Sequence, residues 1–199
     1  MKKKRVEKAV DSVDMVRRNF VPAPGSRPRP LIMGIDPGLS GAIAVVDMDS
    51  GTLVDMIDLP TFKKDSKARK QGYLQFLDIH ALSTLIDLYA PLVALAVLEE
   101  PGAMPKQGLG STFSFGHTCG QIHGVLAGHY IPVAPVKPAV WKSAMALTNK
   151  KDDSRTMATK LFPHFAGFWR QAQHNDRAEA VLLTVYGQKY LNKVIKISR

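Results

Sequence analysis

The chain has 199 residues, a single cysteine and a formal charge of +10 at neutral pH. That length suits one well-buried domain plus a tail rather than two full-sized domains, and the lone Cys119 excludes both an intramolecular disulfide framework and a cysteine-built zinc site. No apolar run reaches about 18 residues, and the basic start MKKKRVEKAVDSVDMVRR is followed by no apolar signal core, so a soluble, non-secreted protein is expected.

The charge is unevenly spread. Residues 1–30 hold nine Lys and Arg against Glu7, Asp11 and Asp14, a net +6, which leaves +4 for all the rest. Within this stretch VPAPGSRPRP at 21–30 cannot continue a helix and reads as a linker. The expected organisation is therefore a basic, proline-rich flexible tail over 1–30, one domain over 31–190 and a short basic tail over 191–199. A basic arm adds phosphate affinity without sequence preference.

The domain starts abruptly at LIMGID. Apolar runs at 31–35 and 42–46, broken by PGLSG, predict two strands joined by a tight turn, and TLVDMIDL at 52–59 alternates well enough for a third. Residues 63–72 read as a polar, lysine-rich loop. A helix follows, with Ile79, Leu82, Leu85, Ile86 and Tyr89 on one face, closed by Pro91. LVALAVLEE at 92–100 is apolar almost throughout, as expected of a strand buried on both faces and paired in parallel. After the loop PGAMPKQGLGST, glycines 116, 120 and 124 recur every four residues and lay a smooth stripe along one helix face, read here as a packing surface. IPVAPV at 131–136 predicts a fifth strand, and helices are expected near 138–147, 153–162 and 176–190.

Four acids stand where such a layout brings side chains together. Asp36 ends the first strand in GIDPGLSG, where Pro37 stops the ladder, so it is either a rim carboxylate or a turn former. Glu99 and Glu100 close the apolar strand, and only one of two adjacent residues can face a given side. Asp176 and Glu179, three apart ahead of an apolar helix, share one face of its first turn, yet the same spacing makes a capping box with Asp176 at the N-cap. In a basic chain, converging acids suit a divalent cation aimed at nucleic-acid phosphate, because Mg²⁺ prefers carboxylate oxygen. The D-x-G turn also occurs in actin-like ATPases, but these need a second such motif and a second large domain, so no nucleotide cofactor is expected.

Taken in order, GIDPGLSGAIAVVD, VLEE and DRAEAVLL resemble the RuvC-like Holliday-junction resolvases of the RNase H superfamily, over residues 31–187. AMPKQG at 103–108, FSFG at 113–116, VWK at 140–142, KDDSR at 151–155 and RAEA at 177–180 bring the phage and chloroplast branch closest. The resemblance implies an α/β, RNase H-like fold: a mixed five-stranded sheet, three antiparallel strands and then parallel additions, flanked by helices. It also implies a homodimer that cuts four-way branched DNA by paired symmetric nicks, leaving 5′-phosphate and 3′-hydroxyl ends. Two Mg²⁺ ions per site, replaceable by Mn²⁺, would be held by Asp36 (bridging), Glu99 (chosen over Glu100), Asp176 and Glu179. Relatives carry glycine at the place of Asp176 with a histidine nearby, which brings in His174 and Asn175.

Lys142 and Lys151 are the further catalytic candidates, and Lys106, Phe113, Phe115, Lys142, Lys150, Lys151 and Arg155 are candidates for contact with DNA. Phe113 and Phe115 either wedge into an opened junction or face the core. The expected compartment is the cytoplasm, of a host cell if the gene is a phage's, or an organelle. Two other readings stay open: a non-catalytic branched-DNA-binding protein and a less specific RNase H-like nuclease.

Overall fold

The computed structural model describes residues 30–67, 70, 72–100, 102, 108–148, 150 and 152–191. The expected tails, apart from Pro30 and Leu191, lie outside these residues, as do Lys106 and Lys151. The chain runs β1 (Leu31–Ile35), β2 (Ala42–Asp47), β3 (Leu53–Asp58), β4 (Thr61–Asp65), β5 (Tyr73–Leu77), α1 (Ile79–Tyr89), β6 (Val93–Glu99), α2 (Leu109–Gly128), β7 (Val133–Val136), α3 (Pro138–Ala144), α4 (Asp153–Leu161) and α5 (Asn175–Tyr186). Two 3₁₀ segments, Pro163–Trp169 and Ala172–His174, link α4 to α5, and a π turn at Gly187–Leu191 follows.

Five strands form one sheet in the order β3-β2-β1-β6-β7. The first three pair antiparallel, whereas β1 with β6 and β6 with β7 run parallel. This is the mixed sheet expected from the sequence. Every residue of β1 and β2 is buried, because the sheet is covered on both faces. On one side Ile32, Ala44 and Val97 pack with Trp141, Trp169, Val181 and Leu182 from the segments after β7. On the other, Met33, Ile35 and Val45 pack with Leu82 and Ile86 of α1 and Ile122 and Leu126 of α2. Burying each such aliphatic side chain contributes about 1.5–3 kcal/mol.

The two faces are held by different contacts. At Gly34 a Cβ would lie 2.1 Å from the Ala180 carbonyl oxygen, so the missing side chain lets α5 press directly on β1. Opposite, α1 is capped by Asp78, which accepts from the Ala81 amide at 3.0 Å, and is tied to β3 by the Tyr89 hydroxyl donating to Asp55 at 2.5 Å.

Two expectations fail. The loop expected over 63–72 is the connection of a hairpin whose first strand takes in Lys63–Asp65, with β4 and β5 pairing antiparallel as a separate two-stranded sheet. The lysines of β4 hid it: that strand is exposed from Phe62 to Asp65 and lacks the apolar alternation of a half-buried strand. The glycine stripe of α2 does not pack either. A Cβ at Gly116, Gly120, Gly124 or Gly128 would meet nothing within 4 Å among the described residues.

Candidate metal centre

The parallel strands β1 and β6 end side by side, and the N-terminus of α5 comes to the same edge. Open α/β sheets gather their functional groups at the carboxyl ends of strands. Asp36 follows β1 directly, Glu99 is the last residue of β6, and Glu179 lies in the second turn of α5. One carboxylate oxygen from each falls within 4.8 Å of the others. The three residues are 9, 7 and 8% exposed, so the cluster is almost fully withdrawn from water. Glu100 is exposed.

Each carboxylate is held by its own donors. The turn after β1 folds so tightly that a Cβ at Gly41 would lie 2.1 Å from the Asp36 carbonyl oxygen, and the Gly38 amide donates to Asp36 Oδ1 at 3.2 Å. Glu99 accepts from the indole N–H of fully buried Trp141 at 2.8 Å. Glu179 accepts from Lys142 Nζ at 2.9 and 3.0 Å, from Ser154 Oγ at 3.1 Å and from Asn175 Nδ2 at 2.9 Å. Trp141 and Lys142, neighbours on α3, thus serve different acids. Among the described residues Lys142 forms the only ion pair to a member of the cluster.

Asp176, the fourth expected acid, stands slightly apart. It sits in the first turn of α5, where the helix dipole favours negative charge, and accepts from Ser40 Oγ at 2.7 Å. The N-cap position belongs to His174, so Asp176 and Glu179 do not form the capping box that their spacing allowed. Arg177, between them, clamps Asp58 at the end of β3 through two contacts of 2.6 Å.

The electrostatics mark a shortage of positive charge. Asp36 is held well above the usual carboxylate range by burial and then by Glu99, Asp176 and Glu179. Burial also raises Glu99, with Glu179 and Asp176 adding to the effect while the Trp141 N–H opposes it, and Asp176 is raised by burial and by Glu179 and Asp58. Beside Glu179, the buried Asn175 Oδ1 has no hydrogen-bond partner among the described residues. Three convergent carboxylates and an orphaned amide oxygen are the hard oxygen donors that Mg²⁺ or Mn²⁺ takes, so the residues present fit a divalent cation. At Cys119 on α2, burial and then Glu100, Asp36 and Glu99 push the thiol up to about 11, which disfavours the thiolate.

The other candidates scatter. Phe113 is 76% exposed near the start of α2 and stacks on His117, with centroids 6.1 Å apart, while Phe115 is half-buried. Lys150 is exposed. Arg155 pairs with Asp152 and donates to the Arg170 carbonyl at 3.1 Å, away from the acids. Sequence reasoning missed Trp141, Ser154 and Ser40 as partners of the carboxylates. All three lie inside strings that carry the resemblance, the one signal that could have singled them out.

No protein-family model matches the chain, and no curated protein sequence matches it. Solved structures do. RuvC of Thermus thermophilus in complex with a Holliday junction substrate aligns over 79% of this chain and 94% of its own, at 18% identity and a TM-score of 0.54. A second T. thermophilus RuvC structure aligns over 79% and 94% at 17% identity and a TM-score of 0.49. The yeast mitochondrial Holliday junction resolvase Ydc2 aligns over 94% and 90% at 12% identity and a TM-score of 0.46. The fold is thus RuvC-like, of the RNase H type, and carries a buried acidic triad at the edge of its sheet.

Proposed function

We infer that the protein is a metal-dependent, structure-selective endonuclease that resolves four-way DNA junctions by paired symmetric nicks. The observation that carries this reading is the convergence of Asp36, Glu99 and Glu179 on one buried point of a RuvC-like fold. Asp36, Glu99 and Glu179 would hold Mg²⁺, with Mn²⁺ as a substitute, and Asp176, whose charge acts on Asp36 and Glu99, would help to hold a second ion. A bound divalent ion supplies a more acidic water and offsets charge on the phosphodiester.

The chain's own residues do the rest. Trp141 fixes the rotamer of Glu99, and Ser154 and Asn175 fix that of Glu179. Lys142 Nζ lies against Glu179 and can shift toward a phosphate that enters the cluster, adding a positive charge where negative charge develops. Water attack in line with the 3′ oxygen leaves 5′-phosphate and 3′-hydroxyl ends. A four-way junction has two-fold symmetry, so paired incisions call for two copies of the chain related by the same symmetry.

Purified protein with Mg²⁺ is expected to nick a synthetic four-way junction while sparing linear duplex of the same sequence. Equal cutting of junction, duplex and RNA–DNA hybrid would instead identify a general RNase H-like nuclease. Tight junction binding without any cutting would make it a structural binder.

A further inference from the structure

The β4–β5 hairpin is not accounted for by the metal centre. Residues 61–77 carry five basic side chains against Asp65, a net +4, while the rest of 31–199 holds 13 basic and 13 acidic residues. The whole positive excess of residues 31–199 therefore falls in this segment of the sequence. Lys63, Lys64, Lys67 and Lys70 are all exposed. None of them forms an ion pair among the described residues.

The ribbon also exposes aromatic surface. Phe62 and Phe76 face each other across the strands, 49 and 37% exposed, and stack with centroids 5.6 Å apart. With a strand period of two, Lys64 shares their face, while Lys63 and Gln75 lie on the other. There Lys63 Nζ sits 4.0 Å from the centre of the Tyr73 ring. Exposed rings beside unpaired lysines are how proteins hold nucleic-acid strands, the rings stacking on bases and the ammonium groups neutralising phosphates.

Position separates a nucleic-acid partner from any other anionic surface. Gln75 Nε2 donates to the Leu39 carbonyl at 3.1 Å, and Leu39 belongs to the turn that follows Asp36. The same amide donates to Thr61 Oγ1 at 2.9 Å, which ties both strands of the ribbon to that turn. The basic ribbon is thereby anchored beside the acidic centre, one element concentrating positive charge next to another short of it.

We propose that the β4–β5 hairpin is a DNA-binding arm that grips the strand backbone next to the cleavage site, with Lys64, Lys67 and Lys70 on phosphates and the Phe62–Phe76 pair against bases unstacked at the branch. This rests on the reading of the acidic triad as a nuclease centre. The arm supplies affinity and places the branch relative to the acids, and it takes no part in the chemistry.

The test is binding of a fluorescent four-way junction and of linear duplex by wild type, K64Q/K67Q/K70Q and F62A/F76A, across a salt series in Ca²⁺. The triple variant is expected to bind at least tenfold more weakly and to lower the slope of log affinity against log salt by about 2–3, the signature of three lost phosphate contacts. F62A/F76A is expected to weaken junction binding about tenfold with the slope unchanged. Acetylation of Lys64, Lys67 and Lys70 in the wild type should fall when junction is bound, a readout independent of any substitution. Wild-type affinity and slope in the triple variant, with no protection from acetylation, would overturn the proposal. A wild type that binds duplex and junction equally would count against junction selectivity alone, and the variants would still decide the arm's role on duplex.

Discussion

Asp36 has the hardest electrostatic position in the molecule: buried, with three other acids near it and one backbone amide in its support. Because its folded-state pKa is raised, the native chain binds this proton more tightly than the unfolded chain does. Its contribution to stability is then greatest at low pH and declines as pH rises from the ordinary carboxylate range through the raised value. In metal-free buffer Asp36→Asn is therefore expected to raise the melting temperature near neutral pH and to change it little near about pH 4, as differential scanning fluorimetry would read. Mg²⁺ should stabilise the wild type in the same upper window. At one hundred times its Kd the gain is about 2.7 kcal/mol, or about 5–10 °C for a chain of this size, and Asp36→Asn should abolish it.

Trp141 reaches the site by its N–H to Glu99 and by its ring, whose centre lies 5.2 Å from Lys142 Nζ, and only the first contact is lost when the ring is kept. Trp141→Phe keeps most of the buried ring and deletes the donor, so Mg²⁺ affinity measured from the same thermal titration is expected to fall about 10- to 100-fold. An unchanged Mg²⁺ midpoint would mean that Glu99 does not depend on this hydrogen bond. At this scale the acids were legible as residue types in order along the chain. Their donors were not, because a tryptophan in a short helix reads as core until the fold places its N–H against Glu99.

At the scale of elements, the approach of α5 to β1 sets the position of Glu179 relative to Asp36. Gly34→Ala forces a methyl group against the Ala180 backbone, so α5 must shift outward, and a loss of about 1–3 kcal/mol or more is expected by chemical denaturation. The same shift should weaken Mg²⁺ binding. The sheet was readable because β1, β2 and β6 are nearly continuous apolar runs bounded by Gly or Pro signals. The hairpin at 61–77 was not, since its strands Thr61–Asp65 and Tyr73–Leu77 are only five residues long and the first carries Lys63 and Lys64 where alternation would be sought. The glycine spacing of α2 was read correctly as a stripe but assigned a packing partner that the described residues do not supply.

For the whole molecule, the proposed function would divide the labour of meeting DNA among a charge-balanced remainder of residues 31–199, a basic ribbon and a basic N-terminal stretch. Removing residues 1–28 is expected to leave the melting temperature of the core within a few degrees while lowering DNA affinity and flattening its salt dependence. An unfolded deletion product would show instead that the stretch belongs to the core. Among the described residues no helix is long and apolar enough to cross a membrane.

The most direct measurement is strand-resolved cleavage of a synthetic four-way junction with Mg²⁺ by the wild type beside Asp36→Asn and Glu179→Gln. The expected result is a pair of nicks at symmetric positions in opposing strands, closed by DNA ligase without further processing, with each variant slower by a factor of order 10²–10³ or more. Cleavage that survives both substitutions, or a junction that the wild type leaves intact at every metal concentration, would contradict the assignment of the acidic triad as a nuclease centre.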